Sequence, residues 1–425
     1  MCRYITHIYV ATSFVPIIDA MSRAVYASLM LGFVVYQIVR YRNILSFFPD
    51  IAWPIERNTT QEYMTITETT NVGLSKRLVG DDIPDVKHRS IFAILNTTVK
   101  PPLDTFIDAN ATPTKYIRHL LDYAIVGFAK CGTTSLGEWF YRHPEIGIGV
   151  GENYNFRGGL LRMSEILYKS IPMNGTLDKP FINGYRCPHD VQTIKAMRII
   201  ADSFPTAKLI VTVRHPVLWF ESFYNYRMER GEKELLLGKP NELIGWLNCY
   251  RCESPILLST ATGAFHQYLA RLGKTNFLSK EERALLDPFT PTGKGLTVKY
   301  VYNNPNPVFL MEVSQLGDKD ELRASSLRKD LKAYLNLYED LPPIPHVRPG
   351  STAAPPKNFT RFDICEKEYN PVRTEMMYIS RNASLWIRNF FLKSPDVFVS
   401  SPDYFDHLLQ SWMFDPCDKR KRKRV

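Results

Sequence analysis

Residues 123–141 read YAIVGFAKCGTTSLGEWFY, and the fold is decided in them. The apolar run 123–126 ends at Gly127, the pattern of a short buried strand in a parallel sheet. A turn of small residues follows. From Thr133 to Tyr141 the apolar positions take up helical spacing, with Thr133 or Ser135 near the start. The same rhythm returns downstream. Residues 208–213 (KLIVTV) are the strongest strand pattern in the chain and run into Arg214, His215 and Pro216. Pro216 fits the first turn of a helix reaching to about Arg230. Residues 190–203 predict a helix with Asp190 as its N-cap, 308–313 a further strand and 325–337 a further helix. Alternating strands and helices predict an α/β fold: a P-loop-like three-layer domain whose central, mainly parallel sheet is flanked by helices. Ligands of such sheets bind at the carboxyl ends of the strands.

The turn itself carries chemistry. Residues 127–135 place Lys130, Cys131, Gly132 and the hydroxyls of Thr133, Thr134 and Ser135 where a strand passes into a helix. Backbone N–H groups at such a junction cradle an anion, and Lys130 adds a charge. The rival motif is the nucleotide-binding P-loop, in which lysine follows the second glycine. Here Lys130 stands two residues before Gly132, the wrong register for ATP or GTP. A purely structural turn is the other alternative. Arg214 leaves the carboxyl end of the 208–213 strand, and Ser222 lies about two turns along the next helix. An arginine and a hydroxyl so placed make a phosphate clamp.

These segments resemble a known family. GFAKCGTTSL (127–136) resembles the 5′-phosphosulfate loop of sulfotransferases that use 3′-phosphoadenosine 5′-phosphosulfate (PAPS). VTVRHPVLWFESFYNY (211–226) resembles their 3′-phosphate motif: an arginine, a proline two residues on and a serine at plus eight. YRCP (185–188) resembles their Lys-Thr-Pro segment, with Arg186 in the lysine position and Cys187 departing from threonine. HPEIGIGVGENYNF (143–156) resembles the stretch where Golgi carbohydrate sulfotransferases carry a glutamate before an aromatic pair. The Lys-Cys-Gly-Thr-Thr run is most similar to the branch containing N-acetylgalactosamine 4-sulfate 6-O-sulfotransferase, and the likeness spans residues 116–337. The resemblance implies that Lys130, Cys131, Gly132, Thr133, Thr134 and Ser135 hold the 5′-phosphosulfate and that Arg214 and Ser222 hold the 3′-phosphate. It implies Glu152 as the general base and Lys130 as the group that stabilises the departing bisphosphate, with no metal required. His189 and His346 are rival bases, because soluble small-molecule sulfotransferases use histidine; His215 reads as structural. The implied acceptor is a carbohydrate hydroxyl on a glycan or on a polysaccharide such as a glycosaminoglycan. A tyrosine or lipid acceptor, or an inactive PAPS-binding homologue, are the alternatives.

The rest of the chain gives the context. With 425 residues, 45% apolar and 12% aromatic, it fills one large domain with appendages. The formal charge is +10, but six of the positive charges stand in residues 419–424, and the remainder carries only +4. That field suits an anionic ligand and does not call for nucleic acid. The basic tail reads as solvated rather than as a nuclear signal. Seven cysteines are too few for a disulfide scaffold. Cys249 and Cys252 form a lone C-x-x-C with no second pair for zinc. Cys365 and Cys417 bracket the C-terminal segment and are candidates for a staple, with connectivity not readable from sequence.

Residues 24–39 carry no charge over sixteen positions, with Arg23 and Arg40 at the ends. A spanning helix needs roughly 20 residues, and the arginines can snorkel to close the difference. An uncleaved signal anchor is expected, with a signal peptide or a peripheral segment as alternatives. N-x-S/T acceptors at Asn58, Asn96, Asn110, Asn174, Asn358 and Asn382 all follow it. They predict a lumenal body, and with it a single-pass type II protein of the Golgi membrane. The expected organisation is a cytosolic tail and signal anchor over 1–45, a stem over 46–115, a catalytic domain over 116–417 and a basic tail over 418–425.

Overall fold

The computed structural model describes residues 90–149, 156–176, 181–229, 239–241, 264–284, 304–345 and 360–418. All belong to the unit Asn71–Val425; the unit Met1–Thr70 lies outside them. The expected anchor, Asn58, Glu152, Cys249, Cys252, His346, Asn358 and residues 419–425 of the basic tail also lie outside the described residues.

Among the described residues, six strands build one sheet: β1 (Tyr123–Ile125), β2 (Ile146–Ile148), β3 (Ile182–Arg186), β4 (Lys208–Val213), β5 (Val308–Glu312) and β6 (Val397–Phe398). Their order is β2-β3-β1-β4-β5-β6, and every neighbouring pair is parallel. Side chains along the strands alternate between two apolar layers, as the period of two requires. Tyr123, Ile125, Ile210, Phe309 and Met311 face one layer. They meet Leu136, Trp139 and Phe140 of α1 (Thr133–Tyr141) and Leu327, Leu331 and Tyr334. Ala124, Val126, Leu209, Val211, Val213 and Leu310 face the other. Packed there are α2 (Leu160–Ser170), α3 (Ile194–Ser203) and α4 (Pro216–Glu229). Leu327, Leu331 and Tyr334 belong to α5 (Glu321–Leu335); α6 (Asn370–Asn389) and α7 (Pro402–Ser411) join the second layer. Phe92 and Phe106, fully buried, belong to that second layer too.

The order of the strands makes a crevice. From β1 the chain crosses through α1 to β2, on one side of β1. From β4 it leaves through α4, on the opposite face, towards β5 on the other side. β1 and β4 are neighbours whose following segments part in opposite directions, which is the switch point where ligands of parallel sheets sit.

Two helix starts differ from the sequence expectation. Asp190 does not cap a helix: Asp190–Gln192 is a 3₁₀ turn, and α3 begins at Ile194. The Asp190 carboxylate is fully buried and accepts from the Tyr185 hydroxyl (2.6 Å) and the Phe156 N–H (3.4 Å). A buried carboxylate takes the strongest donors within reach, and the tyrosine outcompetes the helix amides. The helix expected over 325–337 begins four residues earlier, because Asp320 accepts from the amides of Leu322 (3.0 Å) and Arg323 (3.2 Å). It stops at Leu335, with Asn336 in the left-handed region.

The C-terminal segment is tied down. A disulfide joins Cys365 to Cys417, with Cα atoms 5.3 Å apart across 52 residues. Ser380 and Ser384 of α6 donate to the carbonyls of Trp412 (2.9 Å) and Leu409 (2.7 Å). The Arg388 guanidinium grips both oxygens of Asp406 at 2.6 and 3.1 Å. Of the glycosylation acceptors, Asn96, Asn110 and Asn174 are exposed and Asn382 is half-buried in α6.

Candidate active site

The sheet's ladder runs on past β1. Val126 N–H donates to the Ile210 carbonyl (3.1 Å) and Phe128 N–H to that of Thr212 (3.2 Å), so the turn is rooted on β4. Cys131 N–H then closes on the Phe128 carbonyl (3.1 Å). Lys130 and Gly132 both take left-handed backbone, with φ of 65° and 86°. A side chain on Gly132 would also meet Leu316 at 2.8 Å, so only glycine serves there. Leu136 N–H bonds the Gly132 carbonyl (3.0 Å) and starts α1. Thr133, Thr134 and Ser135 therefore form the helix's first turn, whose N–H groups have no intrahelical acceptor. Thr134 is exposed and Ser135 half-buried, while Thr133 is buried. Cys131 turns its thiol into the core, and burial pushes that thiol well up. Of Cys131, the backbone rather than the side chain borders the turn.

The second motif clamps the first. Arg214, at the end of β4, donates to the Lys130 carbonyl (3.3 Å). Trp219 of α4 donates its indole N–H to the Ala129 carbonyl (2.8 Å). Lys130 Nζ lies over the Tyr226 ring, 4.0 Å from its centre. Ser222 stands one turn before Tyr226, on the face of α4 that looks to the turn. His215 is tied to the backbone: its Nδ1 accepts from Val217 N–H (3.3 Å), which puts the proton on Nε2, 3.2 Å from the Phe414 carbonyl.

Two further residues complete the arrangement. Arg186 ends β3 opposite Ile125 of β1. Its Nη1 reaches the Thr133 carbonyl (3.4 Å), and its stem passes 3.1 Å from where a Cβ on Gly137 would lie. Glu312 ends β5 opposite Val213, fully enclosed. Its carboxylate accepts from Ser314 N–H (2.6 Å) and from the His215 backbone. Burial raises its pKa, opposed by those bonds and by the Arg214 charge. His189 is half-buried just past β3, with its carbonyl accepting from Gln192 N–H (3.2 Å).

Lys130, Arg186 and Arg214 thus follow or end three adjacent strands, β1, β3 and β4, and surround the N-terminus of one helix. No family model matches the chain, and no curated protein matches it. Among solved structures, a sulfotransferase from Alicyclobacillus acidocaldarius is similar at 17% identity and a TM-score of 0.38, over 64% of this chain and 95% of that one. A likeness that distant leaves function to be read from the residues.

Those residues place cationic side chains in two lobes at this end of the sheet. Lys130, Arg186 and the first turn of α1 form one lobe; Arg214 and the Ser222 face of α4 form the other. The sequence motifs point to Lys130, Arg186, Arg214 and Ser222. They do not single out Trp219, Tyr226 or Glu312. A signal exists for two of these: Tyr226 is the i+4 neighbour of Ser222, and Glu312 is the lone charge closing the apolar strand VFLME.

Proposed function

We propose that the chain is a sulfotransferase that carries a sulfuryl group from PAPS to a carbohydrate hydroxyl. The observation that supports the donor half is the convergence of Lys130, Arg186 and Arg214 on the α1 N-terminus at the β1/β4 switch point. A small nucleotide with anionic groups at both ends matches two cationic lobes of this kind. In this reading the turn from Lys130 to Ser135 holds the 5′-phosphosulfate, and Arg214 with Ser222 holds the 3′-phosphate. PAPS, when bound, supplies the activated sulfuryl group. Lys130 and the amides of the first turn of α1 stabilise the charge that gathers on the departing side. Glu152 accepts the proton of the acceptor hydroxyl, with His189 and His346 the alternatives. The protein's main contribution is alignment of donor and acceptor.

The likeness of residues 143–156 to the Golgi enzymes supports a carbohydrate acceptor. The uncharged 24–39 run and the acceptors at Asn96, Asn110 and Asn174 support a type II Golgi protein with a lumenal body. The Cys365–Cys417 bridge fits an oxidising compartment.

Calorimetric titration of the lumenal portion with adenosine 3′,5′-bisphosphate tests the donor half. Binding is expected for the natural chain, with a loss of about 100-fold or more in Lys130→Ala and in Arg214→Ala, each removing a charge-assisted contact. No binding by the natural chain, or undiminished binding by both variants, overturns the reading. Incubation with labelled PAPS and a panel of glycans, a tyrosine peptide and a glycolipid then identifies the acceptor.

A further inference from the structure

We infer that Tyr226 is a positioning residue for Lys130, setting its ammonium for the phosphate at the 5′ end of the ligand. The inference rests on the PAPS reading above and adds a residue to it.

The contact is geometric. Lys130 Nζ sits 4.0 Å from the centre of the Tyr226 ring. The backbone that carries this lysine is fixed from the same side: Trp219 holds the Ala129 carbonyl at 2.8 Å, and Arg214 holds that of Lys130 at 3.3 Å. α4 and the turn before it therefore fasten residues 129 and 130 at three points, two on the backbone and one at the tip of the side chain. A lysine stem has four rotatable bonds and about 2 kcal/mol of rotamer entropy. A strained backbone, with φ at 65°, would be wasted if the side chain it aims were left to wander.

The chemistry of the partner matters. A carboxylate beside Lys130 would fix the ammonium equally well, but it would compete with an anionic ligand for the same charge. The face of an aromatic ring attracts a cation without accepting its protons in strong hydrogen bonds. It orients the ammonium without competing with an anionic ligand for its charge. Tyr226 is half-buried, and the Arg227 guanidinium lies 6.0 Å from the same ring, so the ring is held among cations. Ser222, one turn earlier, aligns the other lobe of the site on the same helical face. One face of α4 thus serves both ends of the ligand.

The test compares two probes. Adenosine 3′,5′-bisphosphate has the 5′ phosphate, and adenosine 3′-monophosphate lacks it. Binding of each is measured by calorimetry for the natural chain, Tyr226→Phe, Tyr226→Leu, Lys130→Met and the double variant Tyr226→Leu/Lys130→Met. Tyr226→Leu is expected to weaken the bisphosphate about fivefold to tenfold and leave the monophosphate unchanged. Tyr226→Phe keeps the ring and is expected within about twofold of the natural chain. In the Lys130→Met background the leucine change is expected to add nothing, since the two residues act as one unit. Equal weakening of both probes by Tyr226→Leu means general packing damage and overturns the inference. So does a phenylalanine variant as weak as the leucine one, or additive effects in the double variant. Failure of the natural chain to bind the bisphosphate overturns the PAPS reading, and the inference with it.

Discussion

Lys130 is held in the left-handed backbone region, at φ 65°, where a residue with a Cβ is disfavoured by about 1–2 kcal/mol. Gly132, two residues on, shares that conformation without the penalty. Lys130→Gly and Lys130→Ala both remove the ammonium and its contact with Tyr226, yet they differ in backbone cost. The glycine variant is expected to exceed the alanine variant in unfolding free energy by about 1 kcal/mol, while both lose the nucleotide. Urea unfolding of the two checks this; equal stability would mean that the turn relaxes when the side chain is cut back. At this scale the sequence is informative wherever chemistry is local. A lysine two residues ahead of a glycine, and an arginine at the end of KLIVTV, are visible in one dimension. The ring beneath Lys130 is not, because it stands 96 positions away and meets the lysine only once β4 has paired with β1. Glu152 and His346 lie outside the described residues, and mutation rather than geometry decides between them and His189.

Among the elements, β4 shows what a parallel strand demands. All six of its residues are buried, and the first is Lys208. Its ammonium has no hydrogen-bond partner among the described residues, and desolvation lowers its pKa to about 8, partly opposed by Asp122. The unfolded chain holds this proton up to the ordinary value of 10.5, whereas the folded chain releases it near 8. Across that window unfolding takes up a proton, so this group makes stability rise with pH. Below the window the charged lysine costs the fold on the order of 3 kcal/mol. Lys208→Met is therefore expected to stabilise the protein at pH 7 by about 2 kcal/mol and to remove the rise. The difference between variant and natural chain in chemical denaturation, at pH 7 and at pH 9.5, is the readout. Taking the difference cancels Tyr123, Tyr185 and Tyr334, whose phenols are pushed up by burial and pull stability down above the ordinary tyrosine range. An equal difference at the two pH values would contradict the assignment. The elements also divide by legibility. β1, β4, β5, α1 and α4 carry long or well-punctuated apolar patterns and are readable nearly to the residue. β2 and β3 read IGI and INGYR, each interrupted by glycine, and β6 is only VF; their neighbours in the sheet make them strands.

For the whole molecule, the alternation of strands and helices predicts a parallel α/β sheet, and the six described strands are all parallel. Their order is not readable, because it depends on which way each crossover travels. The C-terminal third lacks the strand–loop–helix rhythm, yet α6 and α7 complete one layer of the core. What fastens it is partly covalent. In the loop-entropy picture a bridge closing 52 residues contributes about 4 kcal/mol. Cys365→Ser is expected to lower unfolding free energy by up to about that amount. Because His215 beside Arg214 bonds the Phe414 carbonyl, close to the bridge, nucleotide affinity is expected to fall as well. Thermal melting with and without reductant, followed by titration of the reduced chain, measures both; an unchanged melting temperature would assign the fastening to packing alone.

That bridge also sets terms for how the chain is made. The native state keeps Cys365 and Cys417 joined while Cys131 and Cys187 remain thiols in the interior. An oxidant strong enough to close this pair meets Cys131 and Cys187 as well, and nothing in their chemistry distinguishes these four sulfurs in an extended chain. The distinction arises only once the sheet has formed. Enclosure raises the pKa of both interior thiols and starves them of thiolate, the species that attacks a disulfide. Folding that precedes oxidation therefore sorts the sulfurs correctly, and oxidation that precedes folding scrambles them.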